Sequence, residues 1–163
     1  MTGHDEPTSV WEHLDELTDG DRELLVESAV TVLNQGVQPD EAITRDMPRS
    51  VLRSRMASAL SEAGLPASKD DASAAMSSAS GADAARSMLS ALSRVPGLRE
   101  EIEQAYRRRE EIMFLDFGLV TGPALMILLL KLKRIKINSS GVDVQMYDAN
   151  KSMIEMVRKM IGI

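Results

Sequence analysis

One stretch, Ile112–Tyr147 (IMFLDFGLVTGPALMILLLKLKRIKINSSGVDVQMY), constrains the fold more than any other. It opens as a continuous apolar run, becomes an apolar/basic alternation, and closes through Ser139-Ser140-Gly141. A membrane-spanning helix needs about 20 consecutive apolar residues, whereas runs of about 10–14 mark buried or interfacial segments. The uninterrupted run FGLVTGPALMILLL has 14 residues, and extending it back to Ile112 places Asp116 inside it. A carboxylate near one end of a span can sit at the headgroup level. Arg107–Arg109 before the run and Lys131, Lys133, Arg134 and Lys136 after it resemble snorkelling flanks. Basic residues on both sides give no orientation signal. The run is therefore read as a buried or interface helix presenting Leu125, Met126, Leu128 and Leu129. The alternative is insertion of segment 112–130 into a bilayer.

Beyond Leu130 the period changes. Leu132–Ile137 and Val142–Tyr147 alternate, and Asn138-Ser139-Ser140-Gly141 has the composition of a hairpin loop. Pairing Ile137 with Val142 sets Ile135 opposite Val144 and Lys136 opposite Asp143, so one register satisfies both faces. A final helix, capped by Asp148 or Asn150, carries Met153, Met156, Val157 and Met160 on a broad apolar face. An isolated hairpin is unstable, so it needs a helix or a partner to cover it.

Residues 1–7 read as a polar leader. Residues 8–110 read as a helical bundle. Ser9 and Glu12 have capping-box spacing ahead of Val10, Trp11, Leu14 and Leu17. Asp21 heads a second helix with Leu25, Ala29, Val32 and Leu33 on one face, closed by Gly36. A short third helix follows Pro39, and a fourth from Pro48 carries Leu52, Met56, Ala59, Leu60 and Ala63. Residues 67–81 (ASKDDASAAMSSASG) lack large apolar anchors and read as a mobile linker with at most one weak helical turn. Two further helices carry Ala85, Met88, Leu89 and Leu92, then Ile102, Ala105, Tyr106, Ile112 and Met113. Helix count and size are similar to those of death-fold adaptor domains, an analogy of architecture alone.

Residues 1–110 carry a net charge of −8 and residues 111–163 a net +2. The acidic part argues against nucleic-acid binding, which requires a basic face. The chain has no Cys, which removes disulfides, thiolate metal sites and cysteine nucleophiles, and suits a cytoplasmic location. His4 and His13 are the only histidines and lack a third ligand at metal spacing. Gly118 and Gly122 lack the phosphate-loop fingerprint, and Gly118–Gly122 lacks the serine of a nucleophile elbow. No catalytic or metal-binding residues, cofactor or small-molecule substrate are assigned.

The order GLVTGPALMILLL, a basic exit KLKR, a strand, a Gly-containing turn, a second strand and a terminal helix resembles the C-terminal part of the effector-associated constant-component proteins of bacterial conflict systems. The resemblance covers residues 112–163. It implies an accessory role beside effectors in anti-phage defence. The sequence thus points to an α+β, mostly α chain with an N-terminal bundle and a C-terminal module, 111–163. Its expected function is that of a non-enzymatic adaptor binding a protein partner or a second copy through that module. The expected location is cytoplasmic, with contact to the inner membrane allowed. The alternative function is a small membrane-inserting effector using segment 112–130.

Overall fold

The computed structural model describes residues 9–44, 46–108, 121–132 and 142–161. A 3-10 helix, Val10–Glu16, precedes seven α-helices: α1 (Asp19–Gln35), α2 (Arg49–Glu62), α3 (Lys69–Ala79), α4 (Ala82–Leu92), α5 (Pro96–Arg107), α6 (Thr121–Leu130) and α7 (Val142–Ile161). No strand occurs among the described residues, so the expected α+β class is corrected to all-α.

Helix α6 is the axis of the fold. Apart from half-buried Gly122, every one of its side chains is buried, and Leu125–Leu128 are fully enclosed. A helix that is apolar all round cannot lie on a wetted surface and must be wrapped. Helices α1, α2, α3, α4 and α7 all pack on it, while α5 packs on α1. The cover over Ala124–Leu130 is therefore supplied by the chain itself. The boundary expected near residue 110 lies between elements that pack against each other. The ten described residues of α6 span about 15 Å, roughly half the thickness of a hydrocarbon core. Among the described residues, no helix is long and apolar enough to cross a membrane.

Both ends of α6 show why this sequence suits a central position. At the first described turn, a Cβ on Gly122 would lie 2.1 Å from the Ala79 carbonyl oxygen at the end of α3. Only glycine permits that backbone approach. At the other end, the Lys131 amide donates to Ile127 O and Leu128 O at 3.2 and 3.1 Å. The Asn150 amide Nδ2, buried on α7, donates to Leu129 O at 3.1 Å and Leu130 O at 3.0 Å. The last four carbonyls of a helix have no intrahelical partner, and a buried end must obtain them elsewhere. Asn150 was expected to cap the terminal helix; instead it lies inside α7 and caps α6.

Other sequence expectations are corrected as well. Val142–Tyr147, read as the second hairpin strand, is the start of α7. Its six-residue alternation is outweighed by the helix-period residues that follow, because extending an existing helix adds a hydrogen bond per residue fixed. The first strand was expected from Leu132, which is buried in a 3-10 turn after α6, and residues 133–141 lie outside the described residues. Residues 67–81, read as a linker, contain α3. A capping box starts it: Ser68 Oγ accepts from the Asp71 amide at 3.1 Å, and Asp71 accepts from the Ser68 amide at 3.0 Å. Ala72, Ala75, Met76 and Ala79 then form a buried stripe of mostly small side chains, which lets α3 approach α2 and α6 closely.

The short helix expected between Pro39 and Met47 does not form among the described residues there. The segment is held by Asn34, whose side chain exchanges hydrogen bonds with the Ile43 backbone at 2.8 and 2.9 Å. The cap of α1 is Thr18, accepting from the Asp21 amide at 3.1 Å, rather than Asp21.

Candidate functional site: a polar groove beside the terminal helix

The 3-10 helix forms one wall of a groove of about 660 Å³, facing α4 and the middle of α7. Its position is set by α5. The Glu103 carboxylate accepts from the Val10 amide at 3.1 Å, the Ser9 hydroxyl at 3.3 Å and the Arg107 guanidinium at 3.1 Å. The Trp11 indole N–H donates to Arg99 O at 3.0 Å. Burial alone would push the Glu103 carboxyl up; the Val10 amide, Arg107 and Ser9 outweigh it and hold it below the ordinary carboxylate value. This wall is thus anchored to α5, and Ser9 reaches Glu103 instead of capping its own helix.

Charge is divided across the groove. Glu12, Asp15 and Glu16 line the 3-10 wall, with Arg86 on α4 and Arg94 just past its end opposite. Arg86 Nε and Asp15 Oδ1 approach to 3.8 Å, and both side chains are largely solvated. A solvated pair of this kind contributes little stability and leaves both groups available to exchange partners. Between the walls lie the hydroxyls of Ser87, Ser90, Ser93 and Ser152, with Trp11, Leu14 and Met156 as apolar ledges. His13 pairs with Glu16 at 3.1 Å, not with a groove serine. The chemistry on offer is hydrogen bonding and exchangeable ion pairing around a few apolar anchors. Among the described residues no group of three or more His, Asp or Glu side chains is placed to hold a metal ion.

The predicted association face lies almost wholly inside the protein. Leu125, Met126, Leu128, Leu129, Met153 and Val157 are buried, and Met156 and Met160 are half-buried against the core. Lys131, predicted as part of a basic flank, is buried, and Lys133, Arg134 and Lys136 lie outside the described residues. Met156 alone of the predicted face lines the groove. The groove residues on α4 had a sequence signal: Arg86, Ser90 and Ser93 follow the i, i+4, i+7 rule of one hydrophilic helix face. The far wall had none, because Trp11–Glu16 comes to face α4 and α7 through hydrogen bonds to α5 and packing on α4, both distant in the chain.

Comparison of the chain with protein-family models, with curated proteins and with solved structures finds no match.

Proposed function

We propose that the chain is a non-enzymatic interaction protein that holds a segment of a protein partner in the groove between the 3-10 helix, α4 and α7. The supporting observation is the groove's lining: opposed acidic and basic walls, hydroxyls between them, and apolar ledges at Trp11, Leu14 and Met156. Mixed polarity of this kind suits a peptide backbone with charged side chains better than an apolar small molecule. The terminal helix takes part through Ser152 and Met156, which retains a role for the C-terminal region in association. An accessory role in anti-phage defence rests on the sequence resemblance alone, and the second strand of that pattern is helical here.

Site-specific photo-crosslinking in the source cells tests this. A photoreactive residue at Ser90, in the groove, is expected to give one discrete protein adduct that Arg86→Glu weakens. The same group at Ser58, exposed on α2, is expected to give none. Equal adducts from both positions, or none from Ser90, overturns the proposal.

A further inference from the structure

The charges of the groove are not matched evenly along its length. At one end Arg86 Nε and Asp15 Oδ1 approach to 3.8 Å. Chain order is reversed between the two walls: Asp15 stands by Arg86, while Trp11 and Val10 bond to Arg99 and Glu103 on α5. Glu12 therefore lies towards the α4–α5 junction, where Arg94 also lines the groove. Both side chains are exposed, and neither has a hydrogen-bond or ion-pair partner among the described residues. That end of the groove offers one free anion and one free cation, on opposite walls.

The hydroxyls of Ser87 on α4 and Ser152 on α7 line the same groove, are exposed, and likewise have no partner among the described residues. Hydroxyls both donate and accept, so they suit backbone N–H and C=O groups that are not already paired. A helical occupant bonds its own backbone and has no use for them. An extended occupant leaves those groups free, and its successive side chains point to opposite faces. Adjacent residues of such a segment reach the two walls at once. The residue facing Arg94 is then a carboxylate and the residue facing Glu12 a cation. A uniformly acidic or uniformly basic segment would satisfy one wall and be repelled by the other.

Taking the groove as the binding site, as proposed above, we infer that its occupant is an extended stretch of a partner protein in which an acidic residue adjoins a basic one. The acidic side chain pairs with Arg94 and its basic neighbour with Glu12. The backbone between them is held by the Ser87 and Ser152 hydroxyls.

The test repeats the Ser90 photo-crosslinking in the source cells with one free charge removed at a time, in Arg94→Gln and in Glu12→Gln. Both side chains are exposed and unpaired, so the urea midpoint should not move in either variant. The sign of the two effects separates the possible occupants. A mixed-charge segment loses a partner in each variant, so the adduct yield should fall about two- to fivefold in both, the range of a solvated ion pair. An acidic segment would fall with Arg94→Gln and rise with Glu12→Gln, and a basic one would do the reverse. Glu100→Gln, on α5 and outside the groove, should leave the yield unchanged. Sequencing of the adduct should find Asp or Glu adjoining Lys or Arg within about four residues of the crosslink. A yield that rises or stays constant in either groove variant, or an adduct sequence of one charge sign, overturns the inference and leaves the groove as a binding site. Absence of any adduct in the parent chain overturns both.

Discussion

Replacement of Asn150 by leucine should be among the most damaging single changes in α7, although the residue lies in no cavity or groove described here. Leucine has similar bulk, so it fills the site, excludes water and removes both donors. The carbonyls of Leu129 and Leu130 are then buried without partners. Each orphaned acceptor costs about 1–3 kcal/mol, which gives a loss of about 2–6 kcal/mol for the pair. A domain of this size has about 5–15 kcal/mol in total, so the shift is large on any denaturation scale. Urea unfolding followed by far-UV circular dichroism reads it as a lower midpoint at unchanged slope. Lys151→Ala, one position along and exposed, should stay within about 0.5 kcal/mol of the parent. Asn150→Asp adds a pH signature. The introduced carboxylate would face two carbonyl oxygens, which raises its folded-state pKa above the unfolded value. The destabilisation should then be greatest above the folded pKa and recede as the pH falls towards the unfolded one. An Asn150→Leu cost below about 1 kcal/mol would refute the reasoning, because the end of α6 would then have its acceptors met elsewhere.

Gly122→Ala should lower stability by several kcal/mol, roughly 3 or more, because its Cβ meets backbone and not a yielding side chain. Gly20→Ala, whose nearest neighbour is the Thr18 hydroxyl at 4.0 Å, should be neutral or stabilising by up to about 1 kcal/mol in the same melt. Leu128→Ala should cost about 2–5 kcal/mol in urea, with no effect on mass by light scattering beyond that of unfolding. Glu103, held below its ordinary value, contributes stability that is present above the unfolded carboxylate pKa and lost as the pH falls through the folded one. Glu103→Gln should flatten that acid limb, measured as the urea midpoint between neutral and acidic pH. Ser68→Ala should cost about 1 kcal/mol in the same assay through loss of the α3 cap.

The sequence reading succeeded where one residue's neighbours are set by its own helix. Leu25, Ala29, Val32 and Leu33 on α1, and Leu52, Met56, Ala59 and Leu60 on α2, were picked by period and are buried. It failed where packing across the chain decides. Size misled at α3: alanines 72, 75 and 79 carry the helical period, but small side chains were taken as weak anchors when they are what permits close approach. Alternation misled at Val142–Tyr147, since six residues fit a strand pattern and still begin a helix of 20. The all-round apolar character of Ala124–Leu130 was legible as a demand for cover. What could not be read was that α1 to α4 supply it, because that depends on contacts between distant parts of the chain. The groove shares that difficulty: its walls come together through bonds from Val10 and Trp11 to Glu103 and Arg99 of α5 and through packing on α4.

The central claim is that α6 is the sheathed core of this chain and not a surface offered to lipid or to a partner. Native-state amide hydrogen exchange of Leu125–Leu130, with and without anionic lipid vesicles, tests it most directly. The account predicts that these amides exchange only through global unfolding, with the same opening free energy as urea denaturation and no change on adding vesicles. Exchange at the rate of frayed terminal residues, or protection that appears only when vesicles are present, would contradict it.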